Sequence, residues 1–410
     1  MRDRQHRGAS PRDYSPFTPG LPVPVEFFVG RADEVRRLSD LVARSATGTL
    51  GVAFVAGERG IGKSSLAAFV RGLSDREHRA LGLHTFLGGV TELEEMVRRV
   101  FDRLLKESID KKWESKITRF FGDRIRRVGL FGVSLEFEAP DRDVRRLVHD
   151  FAPAMKSLIQ AIEPDKSVVL IVLDDINGLA ESEAFANWLK SLVDEIATSG
   201  SPLPLCLMLV GLEERRQSLI RLQPSLARVF DVIEIRAWSD AETEEFFRQA
   251  FESVGVTVAD DALQFMARFA GGLPVLAHEI GDAAFKVDDD SLISLADAES
   301  GVLAAADIVG RKYLEPRVFR VLRSQRYLAI LRKIAGKGQF FTRNDVRSRL
   351  SAAEQKVLDN FLRRMRELGV IAADPERGAG AYRFTNLLHY LYFSLEAERA
   401  RASRGDESSP

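Results

Sequence analysis

The stretch of sequence that decides the fold is the octapeptide Gly57-Glu58-Arg59-Gly60-Ile61-Gly62-Lys63-Ser64. It fits G-x-x-x-x-G-K followed by Ser or Thr, the pattern of a phosphate-binding loop. The run from Leu50 to Ala56 before it is apolar, as a buried strand should be, and the run from Ser64 to Gly72 after it is compatible with a helix. A glycine-rich turn without a ligand is the structural alternative, but the spacing and both flanks favour the loop.

The residue types in this loop suit a bound triphosphate. Glycines let backbone N–H groups converge on a phosphate, and the start of a helix adds partial positive charge. We expect Lys63 to reach the β- and γ-phosphates and the Ser64 hydroxyl to hold Mg²⁺. The predicted nucleotide contacts of the loop are Gly57, Glu58, Arg59, Gly60, Ile61, Gly62, Lys63, Ser64 and Ser65.

A second element supplies the carboxylates that a metal–nucleotide complex needs. The apolar run from Val168 to Leu173 ends in Asp174 and Asp175. We expect Asp174 to orient Mg²⁺ through its water shell and Asp175 to polarise an attacking water as a catalytic base. An aspartate pair alone is compatible with a plain turn at a strand end, but the phosphate loop upstream favours the metal site.

Size, cysteine content and hydropathy limit the class of protein to which the chain can belong. The chain has 410 residues, enough for two or three domains. Its single cysteine, Cys206, lies in an apolar run and is expected to pack in a core, so no disulfide within the chain is predicted. No run of about 18 apolar residues is present, and the N-terminus carries no apolar segment of the secretory kind. These features predict a cytoplasmic protein that does not enter a membrane.

Charge is distributed unevenly along the chain. Residues 311–410 carry 21 Lys and Arg against 11 Asp and Glu, whereas residues 1–310 carry 38 against 49. A basic C-terminal part suggests an anionic partner such as DNA. A solvated basic face without a partner is the alternative.

Alternating apolar and helical patterns predict an α/β fold, a P-loop core with a parallel five-stranded sheet. The predicted strands are Leu50–Ala56, Leu81–Leu87, Ser167–Leu173, Leu203–Val210 and Val232–Ile235. The predicted helices between them include Glu94–Lys106, Val144–Ile162, Glu183–Ile196 and Glu213–Leu222. Several of the strands are continuously apolar, which indicates a sheet covered by helices on both faces.

The rest of the chain divides by composition. Residues 1–24 contain five prolines and little to bury, and they predict a disordered arm. We expect the core at 25–237, with an insertion at about 108–142 that forms a helix and a short strand or hairpin. A purely helical lid is expected at 238–310, starting at a capping box of Ser239 and Glu242. A winged-helix domain is expected at 311–398 and a disordered tail at 399–410.

The segment Phe28-Val29-Gly30-Arg31, with Glu34 and Leu38, resembles the opening of AAA+ and STAND-type ATPase domains, most closely those of the origin-recognition (Orc-type) subgroup. The resemblance implies that Val29 and Gly30 line the pocket of the adenine base. It also implies ATP with Mg²⁺ as cofactors, ATP hydrolysis, and assembly of copies of the chain in a nucleotide-dependent homo-oligomer.

Two further segments extend the resemblance. Gly211-Leu212-Glu213-Glu214-Arg215 is similar to a G-x-x-E-x-R region, and Arg228 stands where such ATPases often place an arginine finger acting on a neighbouring subunit. A surface arginine at a helix end is an equal alternative. Gly271-Gly272-Leu273-Pro274 resembles the Gly-x-Pro motif of lids, which implies that Pro274 closes over the nucleotide.

Three positions depart from the family pattern. Asp175 stands where many ATPases carry Glu, which favours slow turnover. The polar first-sensor residue has no match, because Val210 and Gly211 occupy its place. The lid lacks a second-sensor arginine, and His278 is the nearest polar residue.

The tail has the order of a winged helix-turn-helix, three helices followed by a hairpin. Its third helix, Ala353–Leu368, carries Lys356, Arg363, Arg364 and Arg366, and the loop from Asp374 to Gly380 would be the wing with Arg377 near its tip. In a DNA complex this helix enters the major groove. A regulatory lid and a protein-docking module are the alternatives. For the basic, aromatic stretch Lys111–Arg127 of the insertion, an amphipathic helix on the sheet edge is favoured over a second nucleic-acid contact or a partner-docking helix.

Together these features predict an ATP-binding, ATP-hydrolysing switch that controls engagement of DNA or a protein partner. The alternative is a nucleotide-dependent signalling or defence scaffold with little turnover that docks a separate protein effector. A metabolic kinase is disfavoured, since no pocket for an acceptor substrate is evident.

Overall fold

The computed structural model describes residues 14–20, 29–109, 111–122, 125–128, 134–162, 165–319, 324–335 and 338–406. The chain divides into two compact units between Arg236 and Ala237. The sheet unit holds the described residues from 29 to 236. The helical unit holds those from 237 to 406 together with residues 14–20.

The sheet unit is built on five parallel strands in the order β2-β5-β6-β1-β7. Its strands are β1 (Gly51–Ala56), β2 (Ala80–Phe86), β3 (Ile125–Val128), β4 (Ser134–Phe137), β5 (Val168–Asp174), β6 (Leu205–Gly211) and β7 (Asp231–Glu234). Every residue of β1, β5 and β6 is buried. Continuous apolar sequence therefore corresponds to strands covered on both faces, which confirms the predicted α/β fold.

Helices enclose this sheet. They are α1 (Ala32–Ala46), α2 (Lys63–His78), α3 (Leu93–Ser108), α4 (Glu114–Phe121), α5 (Asp141–His149), α6 (Phe151–Ile162), α7 (Glu183–Thr198) and α8 (Glu213–Leu222). The prediction of a single helix over Val144–Ile162 is wrong, because the helix is interrupted at Asp150, between α5 and α6. Pro153 explains the break, since it lacks an N–H and its ring would clash with the carbonyl four residues earlier.

The insertion contains the expected helix and hairpin. β3 and β4 pair antiparallel, and α4 precedes them. Trp113, Ile117 and Phe121 are buried in the main core. Helix α4 packs on α3 and α6, so it lies on helices and not on the sheet edge.

The helical unit contains nine further helices among the described residues: α9 (Asp240–Glu252), α10 (Asp260–Ala270), α11 (Pro274–Val287), α12 (Leu295–Val309), α13 (Gln325–Ala335), α14 (Arg343–Arg347), α15 (Ala352–Gln355), α16 (Leu358–Glu367) and α17 (Leu387–Asp406). A π-helical segment, Gly310–Phe319, follows α12. The capping box of Ser239 and Glu242 starts α9 as expected. The lid is not purely helical, since β8 (Thr257–Val258) and β9 (Leu292–Ile293) form a short parallel pair.

A three-stranded antiparallel sheet completes this unit. Its strands β10 (Phe340–Thr342), β11 (Ile371–Ala373) and β12 (Ala381–Phe384) lie in the order β10-β12-β11. Strand β10 was not expected from the sequence. The helix predicted over Ala353–Leu368 is two helices, α15 and α16, because Val357 leaves the helical backbone region with φ −111° and ψ 0°.

Both chain ends depart from the expected disorder where the structure describes them. Phe17 is only 4% exposed, and its ring packs edge-on against Phe251 at a centroid distance of 4.8 Å. Gly281 makes room for it, because a Cβ there would overlap the Phe17 ring. Helix α17 continues to Asp406, past the boundary expected at residue 398. The remaining residues of the arm and the tail lie outside the described residues.

Candidate functional site

The phosphate-binding pattern forms the connection between β1 and α2. β1 ends at Ala56 and α2 begins at Lys63. Gly60 and Gly62 have φ values of 77° and 95°, a region that favours glycine. A Cβ on Gly57 would lie 2.9 Å from the Ile235 carbonyl oxygen. The glycines are therefore required by backbone conformation and close approach, as expected for a loop that turns its N–H groups inward.

Lys63 lies over this loop. Its Nζ donates to the carbonyl oxygens of Gly57 at 2.9 Å and Glu58 at 2.6 Å. Burial lowers the pKa of the Lys63 amine, and the charges of Asp174 and Asp175 partly oppose that shift. The amine is thus a partly desolvated cation close to two carboxylates, a position suited to a polyanion.

The sheet order brings the first aspartate to the loop. Asp174 ends β5, is 2% exposed, and its Oδ1 accepts the Ser64 hydroxyl at 3.1 Å. Its Oδ2 lies 2.9 Å from Nε2 of His84 on β2. Sequence reasoning missed His84. The residue looks like one polar position in an apolar strand, and only the pairing of β2 with β5 places it beside Asp174.

The donor set fits magnesium. The Ser64 hydroxyl and the Asp174 carboxylate are hard oxygen ligands of the kind Mg²⁺ prefers, and Mg²⁺ sites commonly use one or two carboxylates plus phosphate oxygens. Within the described part of the chain, no group of three or more His, Cys, Asp or Glu side chains is arranged to hold a metal.

The second aspartate lies in a constrained turn. Asp175 is exposed, and its φ of 58° is unusual for a residue other than glycine. The Asn177 amide donates to Asp175 Oδ1, and Asn177 Oδ1 accepts the backbone N–H of Leu212 at 3.2 Å. Asn177 therefore links the end of β5 to the end of β6.

Asn177 is a polar residue that the sequence did not bring to attention. Its Oδ1 lies beside Gly211 at the end of β6, where an added Cβ would be 3.6 Å away, an ordinary van der Waals distance. The end of β6 lacks the polar first-sensor side chain of the family pattern. Asn177, in the turn after β5, lies next to that position. The only signal in the sequence is an asparagine two residues after the aspartate pair.

The opening segment lies near the same loop. Gly30 and Arg31 both have positive φ values, 68° and 66°, and α1 begins immediately after them. The Arg31 guanidinium donates to the carbonyl oxygen of Arg236. That carbonyl is one residue beyond Ile235, whose own oxygen lies beside Gly57. Val29 and Gly30 are half-buried next to this contact.

Two predicted residues are not brought to the loop within the sheet unit. Arg228 is exposed at the end of a 3₁₀ turn, Pro224–Arg228, that precedes the amino end of β7. The loop follows the carboxyl end of parallel β1, so Arg228 lies toward the opposite end of the sheet. Pro274 begins α11 in the helical unit, where it is buried.

His278 has a structural place in the helical unit. Its Nδ1 accepts the backbone N–H of Thr18 at 3.0 Å. Burial lowers the pKa of His278 to about 4, and the charge of Asp282 opposes this only in part. A neutral, buried imidazole that receives a backbone N–H holds residues 14–20 and is not a cation for phosphate.

Comparisons with known proteins agree with this geometry. Residues 28–210 match the family described as AAA ATPase domain. The ORC2 protein of Aeropyrum pernix, in its ADPNP and ADP complexes, is similar over 91% of this chain and 95% of its own, with a TM-score of 0.57 at 15% identity. The Walker-type ATPase paby2304 of Pyrococcus abyssi is similar over 89% and 96%, with a TM-score of 0.55 at 16% identity. No curated protein matches the chain.

At such low identity these structures establish a common fold and nothing finer. Among the described residues, no helix has both the length and the apolar composition needed to cross a bilayer. The family match covers the phosphate loop, β2 and the aspartate pair in one segment. Residues 28–210 are therefore similar to an AAA ATPase domain, and the chain shares its fold with the ORC2 protein and with a Walker-type ATPase.

Proposed function

We propose that the chain is an ATP-driven switch that binds ATP with Mg²⁺ and hydrolyses it slowly. One observation carries the proposal: Lys63, Ser64 and Asp174, which come from two distant parts of the sequence, converge at one end of the sheet. Their chemistry is a cation for phosphate oxygens and hard oxygens for a metal.

Each residue has a role in this proposal. The loop Gly57–Gly62 holds phosphate oxygens with backbone N–H groups, and Lys63 moves its amine from the loop carbonyls to the β- and γ-phosphates. Ser64 and Asp174 hold Mg²⁺, which when bound neutralises phosphate charge. Val29 and Gly30 line the base pocket.

Hydrolysis depends on Asp175. Its carboxylate is exposed next to the buried Asp174, a position from which it can accept a proton from water. Its side chain is shorter than that of glutamate, which favours slow turnover, and the hydrogen bond from Asn177 holds its carboxylate in position. Arg228 acts on the site of a neighbouring copy, a role that its exposed position at the far end of the sheet supports.

The tail is proposed to be a winged helix. Support comes from the order of the elements, which is α13, β10, α14, α15, α16 and then the hairpin of β11 and β12. These elements pack around one apolar core. In this arrangement α16 is the helix offered to a DNA groove and Asp374–Gly380 is the wing. Lys356, Arg363, Arg364 and Arg366 are all exposed.

Some tail cations are already engaged. Arg343 makes two hydrogen bonds to Asp359 at 2.7 and 2.9 Å, and the Arg377 guanidinium lies 3.7 Å from the centre of the Phe340 ring. Arg364 is paired as well, with Glu367 at 2.7 Å, so the cations offered to phosphates are mainly Lys356, Arg363 and Arg366. Affinity from such contacts is salt-dependent and largely independent of sequence.

A scaffold with little turnover is the second candidate, and the Asn177 contact favours it. The Asn177 amide donates a hydrogen bond to Oδ1 of Asp175, the proposed base. If this bond stops the carboxylate from accepting a proton from water, bound ATP is not hydrolysed. In that case the tail docks a protein effector in the ATP state. Measured turnover separates the two candidates, because both require ATP binding.

Calorimetry with ATP and Mg²⁺ tests nucleotide binding. We expect Lys63→Ala to weaken binding about 10- to 100-fold, the loss of a charge-assisted hydrogen bond worth about 1.5–3 kcal/mol. Lys106→Ala is the matched control, because Lys106 is exposed on α3 and pairs with Asp102. Absence of binding heat from the folded wild-type protein would refute the proposal.

Titration of duplex DNA at several salt concentrations tests the tail. Arg366→Ala should lower affinity for all sequences and reduce the slope of log K against log salt by about 0.9, since one phosphate contact is lost. The same change at Arg76, in the sheet unit, should leave the slope unchanged. Failure of the wild-type chain to bind DNA at low salt, with ATP bound, would favour the protein-docking scaffold.

A further inference from the structure

A histidine lies on the buried side of the proposed metal site, beyond the residues of the phosphate loop and the aspartate pair. His84 on β2 is 7% exposed, and its Nε2 is 2.9 Å from Asp174 Oδ2. The other oxygen of Asp174 accepts the Ser64 hydroxyl at 3.1 Å. Each carboxylate oxygen thus has its own partner, one from β2 and one from α2.

The sheet register fixes the histidine in this place. His84 pairs with Val172, and Phe86 pairs with Asp174, so all four residues lie on one face of neighbouring parallel strands. Asp174 is the diagonal neighbour of His84. The Phe86 ring stacks on the imidazole at a centroid distance of 4.6 Å and an angle of 21°. The imidazole is therefore held between its strand, the Phe86 ring and the carboxylate.

The direction of the hydrogen bond between His84 and Asp174 follows from the chemistry of the two groups. A carboxylate only accepts hydrogen bonds, so the imidazole carries its proton on Nε2 and donates it to Asp174. Both a neutral and a charged imidazole can donate this hydrogen bond. Because Asp174 is almost fully buried, it needs such partners to offset the cost of removing its charge from water.

We propose that His84 is a positioning residue for the metal: it holds Asp174 in the orientation in which Oδ1 faces Ser64 and the magnesium–nucleotide complex. This rests on the proposed ATP binding and deepens it. Without His84, the carboxylate can rotate about its side-chain bonds and loses its orientation toward Ser64. Losing a partner of a metal-binding carboxylate typically weakens metal affinity about 10- to 100-fold.

The first test is nucleotide binding measured as Mg²⁺ is varied, with a fluorescent ATP analogue and the full chain. His84→Ala should raise the Mg²⁺ concentration for half-maximal binding about 10- to 100-fold. Binding of the analogue in EDTA should stay unchanged. His84→Gln should restore much of the Mg²⁺ dependence, since its amide nitrogen can donate from about the position of Nε2.

Thr85→Val is the matched control. Thr85 follows His84 on β2, is 4% exposed and points to the other face of the sheet, and its hydroxyl has no hydrogen-bond partner among the described residues. Thr85→Val should change neither the Mg²⁺ dependence of nucleotide binding nor the binding in EDTA. Should His84→Ala not fold, His84→Leu replaces it, since leucine retains bulk without a donor.

A second readout needs neither metal nor nucleotide. The chain has six histidines, so selective ¹⁵N-histidine labelling gives a small set of imidazole signals. The His84 Nε2–H should exchange slowly with water in the metal-free protein. Asp174→Asn should shift this signal, and His84→Gln should remove it.

The outcomes are distinct. If His84→Ala weakens binding equally in Mg²⁺ and in EDTA, or if Thr85→Val has the same effect, then His84 is merely structural and the proposal is overturned. A rapidly exchanging Nε2–H would overturn it as well. If the wild-type protein binds nucleotide under neither condition, ATP binding itself is refuted, whatever the Nε2–H signal shows.

Discussion

At the scale of single residues, the site depends on a few polar side chains at the carboxyl ends of apolar strands. Lys63 and the aspartate pair are evident in the sequence because their spacing is regular. His84 and Asn177 carry no such spacing, and they matter only through their contacts with Asp174 and Asp175. Residues of the second kind can be found only from the folded chain.

Asn177 gives a prediction at this scale. Asn177→Ala should lower kcat for ATP about tenfold or more while ATP affinity stays the same, because the change releases Asp175 without touching the loop. In an Asp175→Asn background the same change should cost little, since residues that act through each other are not additive. Steady-state ATPase assays with calorimetry measure both effects.

The control is Asn187→Ala, the same change at an exposed position on α7. A rise in turnover with Asn177→Ala would contradict the positioning role. It would indicate that the Asn177–Asp175 bond restrains the base, as the scaffold alternative requires.

At the scale of elements, the N-terminal segment is part of the helical unit. Phe17 lies among Phe246, Phe247 and Phe251, and Thr18 donates to His278. A segment rich in proline and arginine is thus ordered at one point by an aromatic anchor and a backbone hydrogen bond. Composition averaged over residues 1–24 hides a single buried phenylalanine.

Phe17→Ala should destabilise the helical unit by about 3–5 kcal/mol, the usual cost of truncating a buried phenylalanine to alanine. Hydrogen exchange of α9 and α11 in the full chain measures this, because these helices provide the pocket. Tyr14→Ala is the control, since Tyr14 is 71% exposed three residues away. Unchanged exchange in α9 and α11 would show that Phe17 is not anchored there.

At the scale of the whole molecule, the two units have different chemistry. The sheet unit carries the proposed nucleotide site, whereas the basic tail lies in the helical unit with the lid helices. The lid and tail expected as separate domains form one compact unit, in which α17 packs on α10, α12 and α13.

Arg228 gives a prediction at this scale. If it completes the site of a neighbouring copy, Lys63→Ala and Arg228→Ala should each lower turnover strongly, and mixing the two variants should recover part of it. In mixed assemblies an intact site faces an intact Arg228. ATPase assays over a range of mixing ratios measure the recovery, with each variant diluted by buffer as the control. Strictly additive rates in the mixture would exclude this role.

Sequence alone determined the phosphate loop, the aspartate pair and the five strands, because each depends on local spacing or on continuous apolar runs. The helix breaks near Asp150 and Val357, strand β10 and the anchor at Phe17 were decided by steric and long-range contacts. Tertiary structure also decided which side chains meet at the site. His84 lies 90 residues from Asp174 along the chain and becomes its partner only because β2 pairs with β5.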